Sequence, residues 1–416
     1  MVEGARTYRP WFKSVIFGIT AFFLVVSIVL NPEVAFQSSL KGLKVWWEVV
    51  FPALLPFFIA SEILMGFGVV HFLGVLLEPF MRPVFRVPGA GAFVMAMGLA
   101  SGYPIGAKLT ARLREQNMIT RTEGERLVSF TNTADPLFMF GAVAVGFFHD
   151  VSVGVTLAIA HYTASLFTGI VLRFHEPRGE ETPPAVKSHE FFLVRAVKAM
   201  HDARLKDGRS LGTLMGEAIM SSVNTILMVG GFIMMFSVVI EVLSIMNVTD
   251  FFAHTVALVL TPFGIPKELS QSVISGFFEI TLGSQVASEF KNSLPLVYVV
   301  AVTSAVIAWS GLSVHAQVAS ILSSTDIRYT PYLMARFVHA VAAAVVTILV
   351  WNPVQKYLLA SDQAVSVFLQ QLPENSWTYI WARIEFIGVK ILLFLLLLIA
   401  LAIVIHFAQL FRQKGK

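Results

Sequence analysis

The sequence alternates long apolar runs with short polar segments. A run of about 20 apolar residues is long enough to cross a bilayer as a helix. On this basis we expect spans at residues 14–30, 43–66, 126–148, 152–172, 221–245, 294–322, 330–351 and 385–410. Residues 68–87 and 249–262 instead mix apolar and polar positions, which is typical of helices that lie in the membrane interface.

Two further apolar runs contain a break. The first begins at Ala90 and includes Gly102, Pro104 and Gly106. Proline removes a backbone donor and clashes with the preceding turn, and glycine destabilises a helix interior. The second run is broken within residues 276–284, a stretch that includes Glu279. Because broken backbone in a bilayer needs protein or a water-filled cavity to satisfy its polar groups, each break predicts a kinked core helix or a re-entrant hairpin.

The distribution of Lys and Arg favours the hairpins. The net charge is only +4, but basic residues cluster at both termini, at 108–126 and in the one long hydrophilic segment, 173–210. If the N-terminus is cytoplasmic and both hairpins return to their starting side, most of the 30 Lys and Arg residues are cytoplasmic, with Arg328 and Arg336 among them. This agrees with the positive-inside rule. We therefore expect both termini in the cytoplasm.

The same topology predicts an inverted repeat. Each half reads span, interfacial helix, broken run, span, span, and three crossings per half invert the second copy. Paired discontinuous helices near the midplane are a hallmark of secondary transporters. The expected fold is an all-α polytopic membrane protein with two re-entrant helical hairpins and about eight transmembrane helices. The expected units are an N-terminal helix and loop (1–42), the first repeat (43–172), a cytoplasmic loop with an amphipathic helix (173–220), the second repeat (221–351), and an interfacial segment with a C-terminal helix (352–416).

Composition supports a membrane protein and argues against most other classes. The chain is 56% hydrophobic and 13% charged, with a mean hydropathy of +0.74. It has no Cys, so it forms no disulfide or thiolate metal site. Phosphate-binding loops and the usual hydrolase motifs are absent, so we expect neither catalytic residues nor a nucleic-acid partner. The first apolar run lacks a small-residue cleavage site, so we expect it to be retained as a helix.

The first break is a candidate solute site. Half-helix N-termini carry partial positive charge and attract carboxylates. Lys108 lies one turn before Arg112 and could add a cationic contact. Two interpretations stay open for Lys108, a solute contact or a marker of the cytoplasmic end of the hairpin, and the second is preferred for Arg112.

A polar break, TNTADP at residues 131–136, interrupts the span at 126–148. Pro136 frees the backbone carbonyl of Asn132, four residues earlier. A freed carbonyl beside hydroxyls and a carboxylate predicts a sodium site or proton relay formed by Thr131, Asn132 and Asp135. The alternative is a structural kink with Asp135 near the surface.

Polar residues also interrupt the second half. Glu279 lies at hydrocarbon depth, where it would bind a cation or carry a proton; the alternative is a position at the far-side rim. In SGLSVHAQ, residues 310–317, three polar side chains share one helical face, namely Ser310, Ser313 and Gln317. His315 is off that face in a regular helix, so a packing role and a ligand role are equally open.

Three stretches, MGLASGYP at 97–104, LVSFTNT at 127–133 and SGLSVHAQ at 310–317, resemble the YlbJ sporulation integral membrane protein family, also called SpoVV. The resemblance covers nearly the whole chain. It implies an endospore former, the outer forespore membrane of the mother cell, and movement of dipicolinic acid toward the forespore. That family is similar in turn to concentrative nucleoside transporters, in which hairpins and broken spans enclose solute and sodium.

The sequence departs from nucleoside transporters at one place. Gly102, Tyr103 and Pro104 stand where those transporters carry a Gln-Thr-Glu cluster. The change argues against nucleosides and suits an anionic aromatic solute that prefers backbone donors, hydroxyls and Lys108. A dianion that leaves a negative cytoplasm gains about 2.3 kcal/mol per charge per 100 mV, which favours export.

We therefore expect a transporter that binds dipicolinate and works by alternating access, with no cofactor apart from a coupling Na⁺ or H⁺. Other expected partners are membrane lipid, a second copy of the chain and other sporulation membrane proteins. The alternatives are a sporulation scaffold acting through 173–210 and 352–383, a sodium-coupled transporter of another solute such as a nucleoside, and, weakest, an intramembrane enzyme. The expected solute-binding residues are Ser101, Gly102, Tyr103, Gly106, Lys108, Asn132, Thr133, Glu279, Thr281, Ser284, Ser310, Ser313, His315 and Gln317.

Overall fold

The computed structural model describes residues 8–183 and 192–369, and every regular element in these ranges is a helix. The first half contains α1 (Tyr8–Leu30), α2 (Pro32–Val45), α3 (Phe51–Gly66), α4 (Val69–Phe85), α5 (Ala90–Ser101), α6 (Ile105–Glu115), α7 (Arg121–Thr131) and α8 (Val151–Leu172). The second contains α9 (Phe192–Asp207), α10 (Leu211–Ile245), α11 (Val248–Leu260), α12 (Ser270–Phe278), α13 (Ile280–Glu289), α14 (Leu296–Trp309), α15 (Gly311–Leu322) and α16 (Tyr329–Leu369). Two π-helices, Trp46–Val50 and Leu137–Phe148, follow α2 and α7, and two short 3₁₀ turns lie between α11 and α12.

Four helical stretches in the described ranges are long and apolar enough to cross a membrane, and the number rises to six if two bent pairs each count as one span. The four are Val151–Leu172, Leu211–Ile245, Leu296–Leu322 and Tyr329–Lys356. The bent pairs turn by 106° after Leu30 and by 83° after Gly66. The chain is thus an all-helical protein with four to six candidate spans. The expected span at 385–410 lies outside the described residues.

Some boundaries differ from the sequence-based expectation. The helix of the span expected to start at 221 starts earlier, since α10 begins at Leu211. Ser210 precedes it, and the Ser210 side chain caps the helix by accepting a hydrogen bond from the backbone of Thr213. The segment expected to lie in the interface at 68–87 is α4, and part of its apolar face is buried by protein: Met81 lies next to Gly91 of α5, and Phe85 stacks on Phe130 of α7. An amphipathic pattern does not reveal whether lipid or protein covers the apolar face.

The chain folds back at the break between α12 and α13. The Ser272 hydroxyl donates to the carbonyl of Gly283, 2.8 Å away, although residues 11 apart in a straight helix are separated by about 16 Å. Gly276 and Gly283 also touch, since a Cβ on Gly283 would lie 2.3 Å from the Gly276 Cα. We call α12–α13 the second hairpin.

Helices α5 and α6 fold back in the same way around the end of α7. A Cβ on Gly98 would lie 1.9 Å from the carbonyl oxygen of Thr131, and one on Gly106 would lie 2.4 Å from the same oxygen. We call α5–α6 the first hairpin. Each hairpin therefore packs against a neighbouring helix next to a break. The first packs against α7, and the second packs against α14, where Gly276 and Gly283 both contact Val306.

Ion pairs join three segments at one end of the molecule. Arg114 contacts Asp326 at 2.7 Å, and Arg328 contacts Glu125 at the same distance. Arg126 donates to the carbonyls of residues 86, 175 and 176. At another site, Lys291 donates to the carbonyl of Phe148. The structure thus brings together the polar segments 114–126, 173–183 and 324–328, which the charge count assigned to one side of the membrane.

Candidate functional site

The tip of the first hairpin rests on residues from both halves of the chain. Gly102 has a φ of +73°, a left-handed conformation that strains residues with a side chain. A Cβ at Gly102 would lie 2.4 Å from the Asp135 carboxylate, so no larger residue fits. The Tyr103 hydroxyl donates to the carbonyl of Ile307 in α14, 2.9 Å away. The tip therefore joins the break after α7 to the end of α14.

The break after α7, residues 132–136, is held by side chains from several helices. The Asn132 amide accepts from the backbone of Ala107 at 3.3 Å and donates to the Tyr332 hydroxyl at 3.0 Å. The backbone of Ala134 donates to His161 at 3.0 Å. Because these polar backbone groups are buried, each bond removes the penalty for an unsatisfied donor or acceptor.

The backbone carbonyl of Asn132, which Pro136 frees, accepts a hydrogen bond from a guanidinium. Arg336 is 0% exposed and donates to the carbonyls of Asn132, at 2.9 Å, and Ser129. We expected Arg336 in a cytoplasmic segment, and the structure shows its guanidinium buried at the end of α7, where it caps that helix. Two groups of the expected cation set have protein partners: the Asn132 carbonyl accepts from Arg336, and the Thr131 hydroxyl donates to the carbonyl of Leu127 in its own helix.

Glu279 occupies the turn of the second hairpin. Its carboxylate accepts hydrogen bonds from the backbone N–H of Leu282 at 2.9 Å and from the Thr281 hydroxyl at 3.2 Å. The bond from Leu282 caps the N-terminus of α13. The side chain is buried, at 4% exposure. An acidic N-cap is favoured by the helix dipole and by the unsatisfied N–H groups of the first turn. Glu279 therefore lies within the molecule rather than at an exposed rim.

The break between α14 and α15 is made by Ser310, which has a φ of +75°. Trp309 donates its indole N–H to the carbonyl of Phe277 in the second hairpin, 3.1 Å away. His315 has partners on both ring nitrogens, the Tyr329 hydroxyl at 2.6 Å and the carbonyl of Trp309 at 3.0 Å. Of the two roles left open for His315, these contacts are those of a packing residue.

A cavity of about 620 Å³ lies among the hairpins, the broken helices, α10 and the segment 45–52. Six of the expected site residues line it: Tyr103, Asp135, Glu279, Thr281, Ser313 and Gln317. Apolar side chains such as Val229, Ile233 and Phe138 form much of the remaining wall. The cavity thus combines an apolar body with a few polar groups, as small-molecule sites do.

Two of these side chains lack a protein partner. Ser313 and Gln317 lie one turn apart on α15, are 1% and 2% exposed, and make no hydrogen bond within the described residues. The charged groups of the lining are all acidic: Glu48, Asp135 and Glu279. Over the described ranges no Lys, Arg or His lines the cavity.

The remaining expected residues lie elsewhere. Gly102 and Gly106 pack against Asp135 and Thr131, and Thr133 donates to the carbonyl of Gly98. Ser284 donates to its own helix. Ser310 lies near the Tyr332 hydroxyl, and the Ser101 hydroxyl is buried without a partner among the described residues. These residues form the breaks around the cavity, and they do not line its wall.

Lys108 does not line the cavity either. Its ammonium lies 2.8 Å from the Glu62 carboxylate and 3.1 Å from the Ser221 hydroxyl, and 5.8 Å from the centre of the Phe58 ring. Helix α6 turns the side chain toward α3 and α10. These contacts fit the interpretation in which Lys108 marks the end of the hairpin better than the one in which it contacts the solute.

The sequence reasoning missed Glu48. The π-helix Trp46–Val50 places it at the cavity, where it is exposed. A carboxylate within an apolar span was the available signal, since such residues are rare in membrane segments and usually functional.

One group outside the cavity has metal-ligand geometry. The carboxylates of Glu125 and Glu176 and the His175 ring offer atoms within 4.8 Å of one another. Arg328 already lies on both carboxylates, at 2.7 Å and 2.5 Å. A guanidinium thus supplies the positive charge that a metal ion would bring.

Comparisons with known proteins identify the family of the chain. A family model described as "Gate: nucleoside recognition" matches residues 47–185, which include Tyr103 and Asp135. The sporulation integral membrane protein YlbJ of Bacillus subtilis is 52% identical over 332 residues, which cover 80% of this chain and 81% of that protein. The chain belongs to the YlbJ family of sporulation integral membrane proteins.

A more distant relative of this YlbJ-family chain is an uncharacterized protein of Alkalihalophilus pseudofirmus, 26% identical over 42% of this chain and 41% of that protein. No solved structure matches significantly. The gate match ends before α10, so Glu279, Ser313 and Gln317 lie outside it. The cavity is therefore built from the gate region and from later helices together.

Proposed function

We propose that this chain transports dipicolinic acid, pyridine-2,6-dicarboxylate, from the mother cell across the outer forespore membrane. The observation that carries the proposal is the cavity between two hairpins and two broken helices, into which unpartnered polar side chains project from α15. Buried polar groups without partners are costly unless a ligand or water satisfies them. Membership of a sporulation membrane protein family supports the setting.

The proposal includes an inverted repeat, about eight spans and re-entrant hairpins. Two observations support it. The order helix, hairpin, broken helix, long helix occurs from α4 to α8 and again from α11 to α16. In addition, the first hairpin starts near Arg86 and ends near Arg114, and both side chains reach the ion-paired end of the molecule. With both termini in the cytoplasm, that end faces the mother cell.

Alternating access would follow from movement of the hairpins against the long helices. The hairpins contact the breaks of α7 and α14 closely, so their displacement would open the cavity toward one side or the other. We further propose that the chain is not an enzyme, since the described partners of His315 include no serine that it could activate.

The test is uptake of labelled dipicolinate by proteoliposomes that contain the full chain. Loss of one hydrogen bond to a charged ligand costs about 1.5–3 kcal/mol, so Gln317→Ala and Ser313→Ala should each weaken transport about tenfold or more. Gln271→Ala is the matched control, because Gln271 is exposed and binds Asp250 away from the cavity. Uptake no greater than in empty liposomes, or equal in all variants, would refute the proposal.

A second candidate is a sodium-coupled transporter of a neutral solute such as a nucleoside. The acidic lining favours it, because carboxylates accept hydrogen bonds from neutral donors and attract cations. Competition in the same liposomes separates the two candidates: excess unlabelled nucleoside should leave dipicolinate uptake unchanged if the first proposal holds.

A further inference from the structure

The cavity is closed toward the ion-paired end of the molecule. Tyr103, just before α6, and Ser313 in α15 line the cavity, whereas Arg114 near the end of α6 contacts Asp326, which follows α15. The two helices therefore run side by side from the cavity to the ion-paired end. Close-packed apolar side chains along them seal this route against a charged solute. Four of these side chains belong to one cluster and are at most 4% exposed: Ala107, Ala111, Val318 and Leu322.

Both π-helices, Trp46–Val50 and Leu137–Phe148, border the cavity elsewhere. The second one ends at the turn that precedes α8. Helix α8 then runs back to Leu172, just before His175, which contacts Glu125 at the ion-paired end. Its 22 residues rise by about 33 Å, so the second π-helix leads to the opposite end of the molecule.

The wall of the cavity is open along these two π-helices. A Cβ at Gly141 would meet nothing within 4 Å, and one at Gly146 would meet only the carbonyl oxygen of Gly141, 3.3 Å away. The second π-helix thus presents a strip without side chains beside the cavity. Among the described residues of the lining, every exposed one lies on or next to a π-helix: Glu48, Pro52, Gly141 and Gly146.

The residues beside this opening are typical of contact with water. Glu48 is an exposed carboxylate, and charged side chains in membrane segments face water-filled cavities rather than lipid. The neighbouring Trp47 is 60% exposed, and exposed Trp residues are enriched where a membrane meets water. The opening therefore connects the cavity with water at the end of the molecule opposite to the ion pairs.

We infer that the structure is the release-facing state of the transporter, in which the solute leaves between the two π-helices, past Gly141 and Gly146. The inference rests on the proposed function, in which the ion-paired end faces the mother cell, so this opening releases the dicarboxylate toward the forespore. Glycine keeps the passage wide, since any side chain at these positions would project into it. Segments of π-helix also recur at functional sites.

Uptake of labelled dipicolinate by proteoliposomes tests the passage. Gly141→Trp should lower initial uptake about tenfold or more, because the indole fills the opening. Gly141→Ala should stay within about twofold of the wild type, since one methyl group leaves the passage open. The matched control is Gly231→Trp in α10, which should keep uptake within about twofold: a Cβ there also meets nothing within 4 Å, but Gly231 does not line the cavity. Thermal unfolding of each variant shows whether the fold is retained.

Maleimide labelling gives a second readout that needs no solute and no bulky substitution. In non-sporulating cells that carry the chain in their plasma membrane, Gly141→Cys should react with a charged, impermeant maleimide added outside. Gly231→Cys should stay unlabelled, because lipid covers exposed positions in the middle of an apolar span and excludes a charged reagent. Ala111→Cys, in the apolar seal, should also stay unlabelled.

The outcomes separate this inference from the proposed function. Equal uptake in Gly141→Trp and Gly231→Trp overturns the passage and leaves dipicolinate transport standing. Labelling of Gly141→Cys no faster than that of Gly231→Cys overturns the passage as well, because lipid then covers the opening. Wild-type uptake no greater than in empty liposomes overturns both proposals.

Discussion

At the scale of single residues, the close contact between Gly102 and Asp135 fixes the tip of the first hairpin. Gly102 needs both its positive φ and its missing side chain, since the Asp135 carboxylate fills the space of a Cβ. The same contact sets where Asp135 lies in the cavity wall. This one residue pair thus links the backbone conformation of the hairpin tip to the wall of the cavity.

Gly102→Ala should therefore unfold at lower temperature and lose uptake. Strain from a positive φ costs about 1–3 kcal/mol, and displacement of Asp135 adds to it. Thermal unfolding in detergent measures the change. The control is Gly231→Ala in α10, where a Cβ meets nothing within 4 Å; if both variants were equally stable, the contact would have no energetic role.

Lys108 gives a prediction that separates its two interpretations. Because it pairs with Glu62, Lys108→Ala and Glu62→Ala should each destabilise the fold, and the double variant should lose less than their sum, with a coupling energy of about 1 kcal/mol. Dipicolinate affinity should change less than twofold. A tenfold weaker affinity with no coupling would place Lys108 at the solute instead.

At the scale of elements, the breaks are stabilised by polar side chains from helices that are themselves continuous. Near the start of α16, Tyr332 contacts Asn132 and lies near Ser310, and Arg336 caps α7. From α8, His161 accepts from the backbone of Ala134. Long helices therefore supply the partners that broken helices lack, which allows non-helical backbone to persist inside an apolar protein.

The ion-paired end of α7 gives a pH prediction. Burial by itself raises the pKa of Glu125, but hydrogen bonds from Arg328 and His175 outweigh it and hold that pKa below its ordinary value. A lowered folded-state pKa adds stability above the ordinary value of about 4.3, and this is lost as the pH falls below it.

Wild-type stability should therefore decline more steeply on acidification below about pH 4.3 than that of Glu125→Gln. Unfolding midpoints measured across this range give the two slopes. Glu268→Gln, at an exposed carboxylate, should keep the wild-type slope; identical slopes in the wild type and Glu125→Gln would contradict the assignment.

At the scale of the whole molecule, the cavity belongs to neither half alone. Tyr103 and Asp135 come from the first half, and Glu279, Ser313 and Gln317 come from the second. The Tyr103 bond to Ile307 ties the halves directly beside the cavity. A relative motion of the halves would therefore change the cavity and its access together.

The proposed topology can be tested in intact non-sporulating cells that carry the chain in their plasma membrane, because the chain has no native cysteine. Single cysteines at the exposed positions Lys267 and Asn292, on either side of the second hairpin, should both react with an impermeant maleimide added outside. Those at Gln116 and Ser323 should react only after permeabilisation. Labelling of Lys267→Cys and Asn292→Cys from opposite sides would make the second hairpin a full span.

The sequence by itself determined the membrane class, the helical architecture and the positions of the breaks, because apolar run length, Pro, Gly and isolated carboxylates act locally. It also selected the six expected residues that line the cavity. Only the tertiary structure showed the contacts of Lys108 and Arg336, since their partners Glu62 and Asn132 lie far away in the chain. It also revealed that every charged group of the lining is acidic, a property that exists only once separate segments meet.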